Sequence, residues 1–275
     1  MRRERILAGL GDLRDLTGVE IGALDSPLLS KADGRVIYVD YTDTDSLKQR
    51  YASFDDHDAD RIVNVDAIWG ESTLAEATGL SGTADFVIAS HVIEHVPDLV
   101  TWLQEIGSIL VAGGTLHLAV PDRRYSFDIR RQESRLSEVI YAHMVRARKP
   151  LPHQILDFDL QFLAVDCAAA WDGSAEIPPV IDKTQLEHGI AVAREVMRTG
   201  EYLDIHCWVF TPLSFALLMR QLAALELVPF KCQHWSDTRE NELEFIVIMG
   251  KGADAQENAE SWRLMAAELG SAAAR

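Results

Sequence analysis

The chain has 275 residues, with 26 Lys and Arg against 43 Asp and Glu, which gives a formal net charge of −17. Hydrophobic residues make up 48% of the sequence, a share that excludes a disordered chain. The strongly negative field excludes a general nucleic-acid binder, because it repels phosphate. No stretch approaches 18 apolar residues and the first residues lack the apolar core of a signal peptide, so we expect neither a membrane span nor a leader.

The first half of the chain alternates between strand and helix patterns. Short β-branched runs predict strands at residues 19–22, 36–40, 62–66, 85–90 and 116–121. Pro97-Asp98 suits the first turn of a helix that continues with apolar residues at helical spacing and is followed by Gly113-Gly114. Strands that alternate with helices indicate an α/β fold with a parallel sheet.

The second half is mostly helical or irregular until residue 203. A strand pattern returns at residues 205–210, and Thr211-Pro212 predicts the start of a leucine-rich helix. Residues 227–232 and 243–249 are typical of two last strands, which we expect to pair antiparallel. From Gly252 the chain is polar and rich in alanine, which fits a terminal helix or a frayed tail. The three cysteines, at 167, 207 and 232, lack CxxC spacing and indicate reduced thiols in a cytoplasm.

Ligands of open parallel sheets bind beyond the carboxyl ends of the strands. Asp40 ends the second predicted strand, 18 residues after Gly22, close to the spacing at which a carboxylate accepts both ribose hydroxyls of an adenosine ligand. The glycine pattern of a dinucleotide site is broken, because Leu24 replaces its second glycine and Asp25 would repel a pyrophosphate. An adenosine ligand with a cationic or zwitterionic tail, such as S-adenosylmethionine, fits better than NAD.

Several segments together carry a family resemblance. They are VEIGALDSPL at 19–28, VIYVDYTD at 36–43, VNVDAIWG at 63–70, the block 84–122 with its SHVIEHVPD motif and, more loosely, HCWVFTP and NELEFIVIM. With these segments the chain resembles the class I S-adenosylmethionine-dependent methyltransferases, in particular the type 11-like group. The resemblance implies an α/β, Rossmann-like fold: a seven-stranded, mostly parallel sheet with helices on both faces and a helical cap insertion.

The resemblance also implies cofactor contacts and domain boundaries. Glu20, Gly22 and Ala23 would line the methionine end, Asp40 would bind the ribose hydroxyls, Asp66, Ala67 and Ile68 would contact the adenine, and Ser90 and His91 would border the sulfonium. One methyltransferase domain would span residues 1–251, with a core at 1–122 and 204–251, an acceptor cap at 123–203 and a C-terminal tail at 252–275.

Methyl transfer to a hydroxyl needs a group that accepts its proton. The candidates at the sheet edge are His91, His95, Asp122 and His206, and histidine suits this role at neutral pH. His91 to His95 also matches the HxxEH motif of zinc peptidases. The position after a buried strand, the break at Pro97 and the lack of an evident third ligand disfavour that interpretation. We expect no metal, while a divalent cation at Glu94 or His95 stays an open alternative.

The acceptor is expected at the predicted cap. Residues 123–149 contain eight Lys or Arg and three Asp or Glu, which indicates either an anionic acceptor or a solvated helix face paired with acids. Tyr125 and Trp171 could supply stacking surface. We therefore expect an S-adenosylmethionine-dependent methyltransferase that acts on a small molecule, by O-methylation of a sugar or other small hydroxylated acceptor. The alternatives are an NAD-type oxidoreductase and an inactive binding module with the same fold.

Overall fold

The structure, a computed structural model, describes residues 2–54, 57–178 and 182–273. Its centre is a sheet of seven strands, in the spatial order β3-β2-β1-β4-β5-β7-β6. The strands are β1 (Thr17–Ile21), β2 (Arg35–Asp40), β3 (Ala67–Ile68), β4 (Ala84–Ser90), β5 (Leu110–Pro121), β6 (Phe230–Ser236) and β7 (Glu244–Lys251). The first five are parallel, and β7 is antiparallel to both β5 and β6. This is the predicted Rossmann-like, mostly parallel sheet, and the antiparallel pairing of the last two strands is confirmed.

Ten helices of at least five residues lie within the described ranges. They are α1 (Arg2–Ile6), α2 (Thr44–Tyr51), α3 (Leu74–Thr78), α4 (Leu99–Ile109), α5 (Leu136–Met144), α6 (Pro152–Gln161), α7 (Cys167–Asp172), α8 (Lys183–Thr199), α9 (Pro212–Ala224) and α10 (Ala255–Ala273). The Asp98 carboxylate accepts from Thr101 N and caps α4, while Thr211 caps α9. The start of α9 lies where the sequence predicted it, while α4 begins at Leu99, just after the pair Pro97-Asp98 that was predicted for its first turn. Among the described helices, none combines the length and the apolar character that a bilayer crossing requires.

The two faces of the sheet are covered differently. Side chains of α4, α9 and α10 pack on one face in a large apolar core. The opposite face packs against Ile6 of α1 and against Leu28 and Leu29 of the β1–β2 connection. That connection, residues 22–34, contains no helix, although parallel strands are usually linked through one. The loop itself therefore closes this part of the core.

Two predicted strands are wrong. Residues 62–66 do not belong to a strand of the sheet, and the third strand is the later pair Ala67–Ile68. Val63 donates its amide to Leu24 O, so this β-branched run anchors the β1–β2 loop instead of joining the sheet. Residues 205–210 contribute only a single bridge, between Phe210 and Asp122. The amides of Cys207 and Trp208 donate to Glu94 O, outside the sheet.

The C-terminal segment forms a packed helix. The side chain of Trp262 on α10 is fully buried, and its indole Nε1 donates to Phe230 O at 2.9 Å. The terminal helix is thus confirmed, and the frayed-tail alternative is wrong for residues 255–273. The boundaries of core, cap and tail stay predictions.

Candidate active site

Two segments meet beyond the carboxyl end of β4. The first is residues 91–97, which follow β4, and the second is residues 204–210, which precede α9. Backbone bonds join them, because Cys207 N and Trp208 N donate to Glu94 O at 2.6 and 3.1 Å, and Trp208 Nε1 donates to Val96 O at 2.6 Å. This double attachment brings His206 against the residues that follow β4.

Glu94 lies at the centre of this junction. It is 1% exposed, and neither carboxylate oxygen has a hydrogen-bond partner among the described residues. Three imidazole nitrogens face its Oε1: His91 Nδ1 at 3.6 Å, His95 Nε2 at 3.9 Å and His206 Nε2 at 3.8 Å. We call these four residues the histidine cluster.

Each histidine of the cluster is held by a carboxylate at its other ring nitrogen. The three contacts are His91 Nε2 to Glu244 Oε2 at 2.7 Å, His95 Nδ1 to Asp204 Oδ1 at 2.9 Å and His206 Nδ1 to Asp128 Oδ2 at 2.6 Å. Such contacts set the ring orientation and favour one tautomer. The nitrogen that faces Glu94 is therefore available for chemistry in His95 and His206.

An arginine supports each of these carboxylates. Arg2 Nε lies 2.6 Å from Glu244 Oε1, Arg50 lies 3.7 Å from Asp204 Oδ2, and Arg131 Nη1 lies 2.8 Å from Asp128 Oδ1. Three chains of contacts, each from an arginine through a carboxylate to an imidazole, thus end at Glu94. We call each of these chains a relay. Arg131 and Asp128 are both buried, so their ion pair is the most shielded from water of the three.

The relays shift the pKa values of the groups in them. Burial alone would lower the pKa of His95, but the Asp204 hydrogen bond and the nearby negative charges outweigh burial and raise it. Burial would raise the pKa of Glu244, yet hydrogen bonds from His91 and Arg2 lower that pKa to about 2. The pKa of Asp128 is likewise lowered, because His206 and Arg131 outweigh its burial.

Asp40 lies at the carboxyl end of β2, as predicted. It is 8% exposed, and within the described ranges its carboxylate accepts one hydrogen bond, from the adjacent Tyr41 N at 2.8 Å. Burial, together with the charge of Asp204, raises the pKa of Asp40 to about 6. Most of its lone pairs remain free for a ligand.

The residues predicted at the β1–β2 connection, Glu20, Gly22 and Ala23, shape this loop and hold it in place. Gly22 has a φ of +68°, and a Cβ there would lie 2.7 Å from Val92 Cγ2, so this tight turn requires glycine. The buried Glu20 accepts from Leu28 N at 2.7 Å and from Leu29 N at 3.0 Å with its two oxygens. Glu20 therefore holds the loop in place, and Ala23 packs beneath it on the apolar face.

The structure does not bring Asp66 to the carboxyl edge. Asp66 precedes β3, and its Oδ2 accepts from Tyr38 N at 2.7 Å and pairs with Lys31. Ala67 is buried, and Ile68 lies beside Asp40 at the edge. The predicted adenine contact of Asp66 stays a prediction, and the ion pair between Asp66 and Lys31 disfavours it.

Beyond β3, the first acidic residue is Glu71. Its backbone carbonyl accepts from Arg148 Nη2 at 2.9 Å, and its side chain is exposed.

Ser90 and Asp122 are both engaged with arginines. Ser90 Oγ accepts from Arg2 Nη2 at 2.6 Å beside His91. Asp122 is fully buried, pairs with Arg124 and accepts from Thr238 Oγ1 at 2.7 Å. Of the four predicted base candidates the structure brings the three histidines together and leaves Asp122 in a separate ion pair.

Most basic side chains of the segment 123–149 have polar partners: three pair with acids, and Arg123, Arg148 and Lys149 donate to backbone carbonyl oxygens. Arg124, Arg131 and Arg135 form salt bridges with Asp122, Asp128 and Glu138 respectively. Tyr125 and Trp171 stack on each other, with ring centroids 3.9 Å apart and an angle of 4°. These contacts match the interpretation of a self-paired surface more closely than that of an open anion site.

A comparison with protein families decides the class. A family model described as a methyltransferase domain matches residues 6–222. The chain belongs to this methyltransferase family. It is a class I S-adenosylmethionine-dependent methyltransferase, as its motifs predicted, and S-adenosylmethionine is its cofactor. The NAD-type oxidoreductase and the inactive module find no support in this match.

Solved structures resemble the methyltransferase only remotely. A Mesorhizobium loti S-adenosylmethionine-dependent methyltransferase is 12% identical, with 90% of this chain and 97% of that chain covered and a TM-score of 0.46. An Aquifex aeolicus methyltransferase is 11% identical, covers 90% and 89%, and has a TM-score of 0.42. A Rhodobacter sphaeroides chain assigned provisionally to the zinc-dependent alcohol dehydrogenases is 17% identical, covers 91% and 89%, and reaches 0.48. Likeness at this level carries no conclusion about the acceptor. No curated protein matches the sequence.

Proposed function

We propose that this methyltransferase transfers a methyl group to a hydroxyl oxygen of a sugar or other small hydroxylated acceptor. The observation that carries this proposal is the orientation of the histidine cluster. His95 and His206 each bind a carboxylate through Nδ1 and turn Nε2 into the junction. A hydroxyl there would meet imidazole nitrogens that can take its proton, which is what O-methylation requires.

The residues at the sheet edge fit the cofactor. Asp40 offers buried carboxylate lone pairs for two ribose hydroxyls, and Gly22 lets the loop turn tightly beside β4. Bound S-adenosylmethionine supplies an activated methyl group on a sulfonium. The chain's own task is then to orient the acceptor, exclude water and remove the proton.

We assign separate roles to the residues of the edge. Asp40 would hold the ribose, Glu71 would approach the adenine amine, and Ser90 and His91 would border the methyl donor. Glu20 and Gly22 would shape the loop around the methionine end. The negative charge of Asp204 contributes to the raised pKa of Asp40, and Asp204 also binds His95 Nδ1. This supports a ribose site close to His95.

The acceptor cap is proposed at residues 123–203. It contributes Asp128 and Arg131, which hold His206 from the cap side. An anionic acceptor would have to displace part of the existing ion pairs of this segment. A neutral polyol that hydrogen-bonds the histidines needs no such displacement, so we favour a neutral hydroxylated acceptor.

The experiment combines cofactor binding with a product assay. Calorimetric titration with S-adenosylmethionine, with NAD as the comparison, tests the cofactor site in wild type and in Asp40→Ala. Incubation with a panel of sugars, other polyols and amines, read by mass spectrometry for a gain of one methyl group, tests the acceptor class. We expect methylated hydroxyl compounds, and His95→Ala should lower the rate by about 10²–10⁴-fold.

A matched control removes a histidine elsewhere. His234 is exposed on β6, and His234→Ala should keep the wild-type rate. Methylation of amines alone, with hydroxyl compounds untouched, would refute the proposed acceptor class while leaving the methyltransferase assignment intact.

A further inference from the structure

We propose that Glu94, His95 and His206 bind one divalent cation of the first transition series. The three offer one carboxylate oxygen and two imidazole nitrogens, and these ligand atoms all lie within 4.8 Å of one another. Two histidines and one carboxylate with open positions form a recognised ligand set for such cations. His91 lies beside these three ligands, and its Nε2 is hydrogen-bonded to Glu244.

The unpartnered carboxylate is the first independent sign of a ligand. Glu94 is 1% exposed, and both of its oxygens lack a hydrogen bond within the described ranges. Burying a carboxylate in this way is costly unless a cation or a donor satisfies it. The histidine nitrogens stand 3.8 and 3.9 Å away, too far for hydrogen bonds to Oε1.

That spacing suits an ion between the side chains. Ligand atoms about 2.0–2.2 Å from a metal stand roughly 3.0–3.5 Å apart. The observed separations from Glu94 Oε1 exceed this range by a few tenths of an ångström, which small side-chain rotations remove. The gap that is too wide for hydrogen bonds is thus close to the gap that a cation would fill.

The outer contacts of the histidines are the second sign. Histidines that bind metals donate their other ring N–H to a carboxylate, a carbonyl or water, which fixes the tautomer and strengthens the ligand. His95 meets Asp204 and His206 meets Asp128 in this way, at 2.9 and 2.6 Å. Arg50 and Arg131 in turn hold these carboxylates.

The donor set also selects among cations. Imidazole nitrogen suits Zn²⁺, Co²⁺, Ni²⁺ and Fe²⁺, whereas Mg²⁺ and Ca²⁺ prefer oxygen ligands. We therefore expect binding of the first group and no binding of Mg²⁺. For the proposed O-methylation, on which this part alone rests, a cation would occupy Nε2 of His95 and His206 and would replace them as proton acceptors. It would lower the pKa of a bound acceptor hydroxyl, and Nδ1 of His91 would be the imidazole nitrogen left to take the proton.

The test uses full-length protein without a histidine tag, stripped of metal with a chelator. Titration with Co²⁺ should give visible d–d absorption that saturates at one equivalent per chain, and Zn²⁺ should abolish it by displacement. Calorimetry with Mg²⁺ should show no binding. No S-adenosylmethionine or acceptor is present, so failure here leaves the proposed methyl transfer untouched, and failure of methyl transfer leaves this result untouched.

Variants assign the ligands. Glu94→Gln and His206→Gln should weaken Co²⁺ binding by at least about 100-fold, and Asp204→Asn should weaken it by about 10–100-fold. His91→Ala and the exposed His234→Ala should keep one equivalent bound. If Glu94→Gln does not fold, His95→Gln, whose imidazole is only half-buried, provides the same measurement. Absence of saturable Co²⁺ binding by wild type, or wild-type affinity in Glu94→Gln, would overturn the proposal, as would loss of the ion in His91→Ala.

Discussion

His206 Nε2 lies 3.8 Å from Oε1 of Glu94, and this carboxylate has no hydrogen bond among the described residues although it is buried. An unsatisfied buried carboxylate lowers stability, and functional sites often carry such a cost. The protein therefore keeps at Glu94 a group that a purely structural junction would not favour.

The first prediction concerns the stability of metal-free protein. In chelator, Glu94→Gln should match or exceed wild type in melting temperature, because a neutral amide is cheaper to bury than an unpaired carboxylate. Added Zn²⁺ should raise the melting temperature of wild type alone, since a ligand that binds only the folded state stabilises it. Differential scanning fluorimetry with and without Zn²⁺ measures both effects. A variant that melts well below wild type in chelator would show that Glu94 stabilises the fold by itself.

The second prediction concerns Glu244, whose pKa is lowered to about 2 by His91 and Arg2 despite its burial. A lowered pKa means that the ionised form is favoured in the folded state. The contribution of ionised Glu244 to the unfolding free energy is complete above about pH 4.5 and disappears as pH falls towards 2. Glu244→Gln should therefore cost up to about 3 kcal/mol of unfolding free energy at pH 7. Urea denaturation at pH 7 and at pH 3 should show this cost shrinking in acid.

A surface pair serves as the control for Glu244. Glu260 pairs with Arg263 on the solvent-exposed face of α10, and Glu260→Gln should leave the urea midpoint unchanged, because exposed ion pairs contribute little. Equal losses in the two variants would contradict the role given to burial.

The third prediction concerns Asp40, whose effect on stability has the opposite pH dependence. Burial raises the pKa of Asp40 to about 6, so its ionised form is disfavoured in the folded protein. Wild-type stability should therefore fall as pH rises from about 4 to 6, and Asp40→Asn should be more stable at pH 8 by about 1–3 kcal/mol. The same variant should bind S-adenosylmethionine more weakly, since an amide cannot accept from both ribose hydroxyls. Urea denaturation and calorimetry at pH 5 and 8 check the pair of effects. Unchanged cofactor affinity in Asp40→Asn would remove Asp40 from the ribose site.

Much of the fold was predictable because its patterns are local. The strands that became β1, β2, β4 and β5 are short β-branched runs bounded by turns, and Asp98 and Thr211 cap their helices through bonds to residues three positions on. The third strand was misplaced for a nonlocal reason. Ile62 and Val63 look like strand residues, but Val63 hydrogen-bonds and packs with the first loop, which no periodicity in its own segment reveals.

The site was only partly predictable for the same reason. Asp40, His91 and His95 follow strand ends and could be located from the sequence. The partners that orient the histidines could not, because Asp128, Asp204 and Glu244 lie 78, 109 and 153 residues from the histidines that they hold. The state of the Glu94 carboxylate could not be predicted either, since only the three-dimensional arrangement shows that its oxygens lack donors among the described residues.

The fourth prediction separates Asp66 from Glu71. Asp66 is engaged by Lys31 and Tyr38 N before β3, whereas Glu71 follows the carboxyl end of that strand. Glu71→Ala should weaken S-adenosylmethionine binding by about 10-fold, the size of one hydrogen bond to a charged group. Asp66→Ala should change cofactor affinity little and should lower the melting temperature instead. Calorimetry on both variants decides between them, and the reverse order of affinities would restore the adenine contact to Asp66.

The fifth prediction tests whether residues 252–275 belong structurally to the domain. Trp262 on α10 is fully buried against the sheet, and its indole N–H satisfies the carbonyl of Phe230 on β6. Trp262→Ala removes a large buried side chain and a hydrogen bond, and it should cost about 3–5 kcal/mol in urea denaturation. Leu264 lies on the same helix but is 50% exposed, so Leu264→Ala should change stability by less than about 1 kcal/mol. If the two variants unfold at the same urea concentration, α10 is an appendage and the predicted boundary at residue 251 is a true domain edge; a large difference places α10 within the cooperative core.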